Sequence, residues 1–464
     1  MTRQIRLNAF HTNSPSHSWP GLWRHPADHG LSYNTLGYWT DLARLLERGL
    51  FDALFLADTL GVHDVYEGSP ASALRNAVQV PKGEPTVLVS AMAAVTRYLG
   101  FGVTANVSFE PPFLHARRYS TLDHLTGGRI GWNIVTGHQE SGARNLGQEG
   151  LLSHDERYEV AEEYMDVVYK LWEGSWEDGA VRRDGEKGLF ADPSRIHPIR
   201  HKGRFFNVDG IHLSEPSPQR TPLLFQAGSS EKGLGFAAHH AESVFIAGSG
   251  RERLRATVAD LRTRATAAGR DPHDIQIIAS ATVIAAATRA EAVERFESYR
   301  RFISDEGMLT LISGWTGVDF STWEPDTPIR DIQTNAIQST LKAMTARDPD
   351  KIWRLRDLGQ FSLNDGRGIF IVDSGEAVAE QLIELAEYTG LDGFNLIRVV
   401  HPETLEGVVE HLVPALQSRG AFKTAYAEGT LREKLFGQGR ARLPESHPAA
   451  RRWRTGAASR SAAE

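Results

Sequence analysis

Along most of the 464 residues, short apolar runs alternate with stretches patterned for helix. Eight runs read as strands: 5–10, 51–58, 99–107, 130–136, 222–228, 243–247, 275–284 and 393–400. Several are apolar at consecutive positions, as in Ala53-Leu54-Phe55-Leu56-Ala57. A strand covered on both faces has no need of polar alternation, and parallel sheets are covered in this way. Between the runs, apolar residues recur at three- and four-residue spacing. Segment 38–48 carries Leu42, Leu45 and Leu46 ahead of Gly49, and 156–172 presents Val160, Tyr164, Val167, Val168 and Leu171 behind the candidate caps Ser153 and Asp155. Segments 376–388 and 405–416 repeat the pattern. Strands that alternate with helices predict a parallel sheet, and eight of them predict a closed (β/α)8 TIM barrel.

Three stretches are too long for ordinary loops: 59–84, 173–221 and about 288–368. Long segments after barrel strands lie where active sites are built, so all three are expected to supply lids and pocket walls. The expected organisation is one domain over residues 1–440 with these insertions. An Arg-, Ala- and Ser-rich C-terminal arm follows, ending in a tail at 441–464.

Composition narrows the function. A net charge of −7 disfavours a nucleic-acid partner. The absence of cysteine excludes disulfides, thiolate metal sites and a cysteine nucleophile. The sequence has no run of 18 apolar residues and no signal-peptide pattern, so a cytoplasmic enzyme without a membrane partner is expected.

Polar residues just beyond a barrel strand are candidates for chemistry. Asp58 ends the second run and either binds a ligand edge or caps the next loop. His138 follows the fourth run, where a histidine either exchanges protons near neutral pH or holds a loop. Ala227-Gly228-Ser229-Ser230 precedes a helix. Its small residues and hydroxyls make either a phosphate cradle or a plain helix cap. The sequence lacks Gly-x-Gly-x-x-Gly after a strand, a phosphate loop, a Gly-x-Ser-x-Gly elbow and His-Glu-x-x-His. His239 and His240 are adjacent on a helix and diverge, so no metal is expected.

Several motifs occur in order over nearly the whole chain. They include Gly21-Leu22-Trp23-Arg24-His25-Pro26, Phe51-Asp52-Ala53-Leu54-Phe55-Leu56-Ala57-Asp58, Gly131-Trp132-Asn133-Ile134-Val135-Thr136, His154-Asp155-Glu156-Arg157-Tyr158 and Asp392-Gly393-Phe394-Asn395-Leu396. In these the chain resembles the bacterial luciferase-like flavin monooxygenases. It is most similar to the branch of nitrilotriacetate monooxygenase component A and the dibenzothiophene-sulfone, dimethyl-sulfide and long-chain alkane monooxygenases. The resemblance implies FMN held at the C-terminal ends of the barrel strands. FMNH2 is then expected from a separate NAD(P)H:flavin reductase, and O2 adds to it as a C4a-(hydro)peroxyflavin. The substrate would be a small alkane, sulfide, sulfone or amine, and the protein a homodimer or homotetramer.

The same resemblance puts the flavin ring near Asp58, Thr104, Asn106 and Thr136. It puts the phosphate near Tyr158, Ala227, Gly228, Ser229 and Ser230, with His154 close by. His17, His138 and His63 are the implied catalytic residues, and Ser14, Met308 and Leu311 line the implied substrate pocket. Three positions depart from the alkane enzyme: Ser14 stands for a cysteine, His63 for a tyrosine, and Met308-Leu309-Thr310-Leu311 for a histidine-bearing segment. The rival expectations are a deazaflavin-dependent oxidoreductase of the same superfamily and a non-catalytic FMN-binding protein.

Overall fold

In the computed structural model, which describes residues 4–228, 230–248, 250–329, 351–361 and 368–450, parallel strands dominate one sheet. They are β1 (Arg6–Thr12), β2 (Ala53–Ala57), β3 (Gly100–Asn106) and β4 (Ile130–Val135). Two short antiparallel hairpins follow, β5 (Val181–Asp184) with β6 (Leu189–Ala191) and β7 (His201–Lys202) with β8 (Asn207–Val208). The parallel series resumes with β9 (Leu223–Ala227), β10 (Ser243–Ile246), β11 (Gln276–Ala286), β12 (Ile369–Ser374) and β13 (Gly393–Ile397).

Eight of these close into a ring. β1 to β4 run side by side, β4 pairs β9, β9 pairs β10, and the circuit continues through β11 and β13 back to β1. Register fixes the closure: Ser243 lies opposite Gln276, Ile278 opposite Gly393, and Gly393 opposite Arg6. The (β/α)8 barrel expected from the alternation is therefore present. A ninth strand was not expected. β11 runs beyond the ring, and β12 pairs its last residues from Ala281↔Ile369 to Ala286↔Ser374.

Helices cover the outside with their apolar stripes. Helix Leu36–Arg48 starts at Thr35, whose hydroxyl accepts from the Tyr38 amide, and it buries Trp39, Leu42 and Leu46. Helix His154–Tyr169 opens on a reciprocal Ser153–Glu156 capping box and buries Val160, Tyr164, Val167 and Val168. Among the described residues no helix is long and apolar enough to cross a membrane.

The lower barrel is filled. Phe225 and Phe245 stack at 5.5 Å, and Phe55 meets Phe245 edge-on at 4.3 Å. Leu431 and Leu435 of the C-terminal arm join this cluster from below. A Cβ at Gly100 would lie 2.6 Å from Leu431, so the glycine lets the arm seat. Arg432 anchors it. This wholly buried guanidinium makes a two-pronged pair with buried Glu242 at 2.7 and 3.0 Å and also donates to the Thr221 and Ala441 carbonyls. Cutting one partner from such a buried pair typically costs about 3–5 kcal/mol. With the floor filled, the barrel's ligand-sized space among the described residues lies at the opposite end.

The insertions divide accordingly. Residues 59–84 follow β2 and the described residues of 288–368 follow β11, so both rise at the C-terminal mouth. Residues 173–221 do not, which corrects the expectation that all three are lids. This segment follows a helix and precedes β9, so it returns to the N-terminal end. There Gln219 binds buried Asp123 and the carbonyl of Ile130, the first residue of β4. Chain direction, and not length, decides which end an insertion occupies.

Candidate active site at the barrel mouth

A cavity of about 420 Å³ opens at the C-terminal ends of the strands. Phe10 and Thr12 of β1, Ala227 of β9, Ser280 and Thr282 of β11, Ile369 of β12 and Ile397 of β13 form its base. The loop after β1 adds His17 and Trp19, the first insertion Gln79 and Lys82, and helix Asp305–Thr316 adds Met308 and Trp315. The upper wall combines the apolar Trp19, Met308 and Trp315 with converging polar groups, which is the usual make-up of a small-molecule site.

His17 is buried and stands edge-on to Phe10, with ring centroids 4.4 Å apart. Its loop is held from both sides. Ser14 Oγ shares a 2.8 Å hydrogen bond with Thr12 Oγ1 and donates to Ser16 O at 2.6 Å, while Gln79 Nε2 donates to His17 O at 3.0 Å. Behind it lies Arg398, wholly buried just after β13. Arg398 donates to the Pro15 carbonyl, to Ser14 O at 3.4 Å and to Tyr38 Oη at 3.0 Å. Tyr38 Oη also shares a 2.8 Å bond with His11 Nε2. Burial and the Arg398 charge together hold the neighbouring His401 down at about 3. His138 sits across the mouth, exposed at the rim just beyond β4.

Asp58 lines the cavity directly after β2. Burial raises its carboxyl to about 6, against the opposing pull of Lys82 and of a hydrogen bond from the Thr59 backbone. The Lys82 ammonium donates to Thr59 Oγ1, and burial lowers its pKa while Asp58 holds it up.

A second cluster adjoins β9. Ser230 caps helix Glu231–His240 by accepting from Gly233 N at 3.0 Å, and the Tyr158 hydroxyl is hydrogen-bonded to Ser230. A Cβ on Gly233 would stand 2.8 Å from Tyr158 Oη and 3.0 Å from Ser230 Oγ. The glycines at 228 and 233 thus keep the approach to this helix N-terminus open. The first helical amides have no intrahelical acceptor and, with the dipole, favour an anion. A mouth cavity beside such a helix end suits a ligand made of a planar ring and a terminal phosphate. Ala227 belongs to both, as the last residue of β9 and a cavity wall.

The residues singled out from sequence therefore separate. Asp58, His17, His138, Met308 and Ala227 meet at the cavity, and Tyr158, Gly228 and Ser230 meet at the helix end. His154 is exposed beside Tyr158, 5.2 Å between rings, and bonds Asp155. Ser229 lies outside the described residues. Thr104 lies within the barrel and accepts from Asn133 Nδ2 at 2.8 Å, while Asn106 and the Thr136 carbonyl bind Ser108. None of these three is in the cavity wall.

Two expected pocket residues, Ser14 and Leu311, and one expected catalytic residue, His63, lie outside the cavity lining. Ser14 is turned into its own loop. Leu311 faces away from the cavity, packing with Ala73 and Val78. His63 is buried behind the wall, against Gly314, and reaches Gln79 Oε1 at 3.5 Å. Lys82 and Gln79 were not singled out. Their signal was the segment Gln79-Val80-Pro81-Lys82-Gly83-Glu84-Pro85, a charged loop pinned by two prolines inside a predicted wall.

The luciferase-like monooxygenase family matches residues 17–393. The chain belongs to that family. Dimethyl-sulfide monooxygenase of Hyphomicrobium sulfonivorans is 46% identical over 450 residues, covering 97% of this chain and 94% of the relative. Long-chain alkane monooxygenase of Geobacillus thermodenitrificans is 47% identical over 451 residues, covering 97% and 98%. The crystal structure of a riboflavin lyase with modified FMN and riboflavin superposes with a TM-score of 0.89 at 35% identity, covering 97% of this chain and 99% of that one. These likenesses within the luciferase-like monooxygenases extend across the barrel, the insertions at its mouth and the C-terminal arm.

Proposed function

We propose that this protein is an FMN-dependent monooxygenase that receives reduced FMN from a separate NAD(P)H:flavin reductase and oxidises a small organic molecule with O2. The observation that carries the reading is the joined site: an apolar mouth cavity bearing His17, His138 and Asp58 beside an open helix N-terminus at Tyr158 and Ser230. The family and its sulfide- and alkane-oxidising relatives support it. The sequence has no nicotinamide fingerprint, which supports an external reductase.

In this reading the bound flavin supplies oxygen activation, and the chain supplies the setting. Glu231 and Lys232 amides, Ser230 and Tyr158 hold the phosphate. Trp19, Met308 and Trp315 exclude water, which keeps reducing equivalents from being lost to H2O2. His17 in the cavity wall and His138 at its rim hold and move protons, the task for which imidazole suits neutral pH.

The test supplies NADH, a flavin reductase, FMN and O2 with a sulfide, an n-alkane, a sulfone and a tertiary amine in turn. Product that depends on both reductase and this protein is expected for at least one of them. Anaerobic titration should show tighter binding of reduced FMN than of reduced FAD. Equal affinity for both, with no product from any class, overturns the reading.

A further inference from the structure

The first insertion places an ammonium where an apolar wall would serve a neutral hydrocarbon or sulfide. Among the described residues of the cavity wall, Lys82 is the one lysine or arginine. An ammonium carries three donors, and the acceptor given to Lys82 within the protein is Thr59 Oγ1. Asp58 is its carboxylate neighbour and acts on it electrostatically, but no ion pair within 4.0 Å joins them among the described contacts. The same cavity is lined by Trp19, Met308 and Trp315. The wall thus offers one cationic end and one apolar side.

We propose that Lys82 is a substrate-anchoring residue, and that the substrate is a short apolar chain ending in an anionic oxygen group, a carboxylate or a sulfonate. The anion takes the donors Thr59 leaves over, and the chain lies along the tryptophans and Met308. Taking a partly buried ammonium from water is costly unless it meets an opposite charge, so a neutral ligand that closes this cavity leaves Lys82 short of partners. The assignment rests on the oxygenase reading for calling the ligand a substrate. The binding preference stands apart from turnover.

The test is calorimetric titration of the FMN-saturated protein with hexanoate and with 1-hexanol at pH 8, a pair matched in chain length. Wild type should bind hexanoate about tenfold more tightly, as expected for one charge-assisted contact. Lys82→Met should abolish the preference and Lys82→Arg should keep most of it. Lys82→Gln retains a donor for Thr59 and serves if the methionine variant fails to fold; it should lose the preference too. A residue that merely straps the insertion to β2 would change stability and leave the hexanoate-to-hexanol ratio alone. Equal binding of the two ligands by wild type, or a preference surviving in both neutral variants, overturns the proposal. A preference that is present and Lys82-dependent upholds the anchor whether or not either ligand turns over, while no product from any substrate class under reductase supply sinks only the oxygenase reading.

Discussion

Replacing Arg398 with methionine tests whether the buried polar cluster behind His17 serves catalysis. The guanidinium is the common donor to the Pro15 and Ser14 carbonyls and to Tyr38 Oη, and its charge faces buried Asp28. Methionine fills similar volume and removes all of these at once. Leaving buried acceptors and a carboxyl without their cation costs about 3–5 kcal/mol in comparable sites. Asp28 already has a pKa raised by burial and can protonate, so the lower end, about 3 kcal/mol, is expected. The functional effect should exceed what stability explains. The loop from Thr12 to His17 would lose its rear support, and a displacement of about 1 Å can reduce a reaction roughly 10²-fold. Urea unfolding should report the first effect. NADH consumption, product and H2O2, measured on the same preparation at a temperature where the variant is folded, should report the second as lost coupling, with FMN affinity within about threefold. Lysine at 398 restores the charge without the planar fork and should recover part of the stability but little of the coupling. A methionine variant within about 1 kcal/mol of wild type, or one that is destabilised yet fully coupled, refutes the reasoning.

Other outcomes follow from the same geometry. His138→Ala should keep FMN affinity within a few fold, while product falls by about 10²–10⁴ and H2O2 per NADH rises; a fully coupled variant removes His138 from the chemistry. Tyr158→Phe with Ser230→Ala should weaken FMN binding by roughly 1–3 kcal/mol in a fluorescence titration, with about 1 kcal/mol of stability lost through the missing cap. Normal binding with a large loss of stability would make the pair purely structural. Asp58 carries a carboxyl raised to about 6 from 3.8, so the folded form holds this proton more tightly than the unfolded chain. Its stabilising contribution is full below about pH 4 and is lost as pH rises through 6, a difference of at most about 3 kcal/mol. Asp58→Asn should flatten that dependence in paired unfolding curves; identical pH profiles contradict the environment described here.

How much of this was legible in the sequence depends on which forces set each feature. The ring strands were readable because they are short, mostly apolar runs alternating with helical patterns, and some are apolar throughout, as Ala53 to Ala57 shows. β12 was missed because it follows a long insertion and lies outside the ring, where it pairs with the overrun of β11. The second insertion was misplaced because length was weighed without chain direction. At the site, Asp58, His17 and His138 were found through strand ends and family motifs. Leu311 and Ser14 were taken for pocket residues because a sequence does not give the rotation of a helix or the turn of a loop. Ser14 instead spends its hydroxyl on Thr12 and Ser16. Lys82 has no signal beyond its place in a proline-pinned charged loop, and the folding of residues 59–84 over the mouth brings it beside Asp58.

The account's central claim is oxygen transfer from O2 on reduced FMN, and isotope labelling tests it most directly. The protein is supplied with reductase, NADH, FMN and ¹⁸O₂ and offered the substrate found by the screen, and the product is weighed by mass spectrometry. The account predicts one ¹⁸O atom per product molecule, absent when the reductase is omitted and absent when the water carries the label in place of O2. Product whose oxygen comes from water, or that forms equally well without reduced FMN, would contradict it.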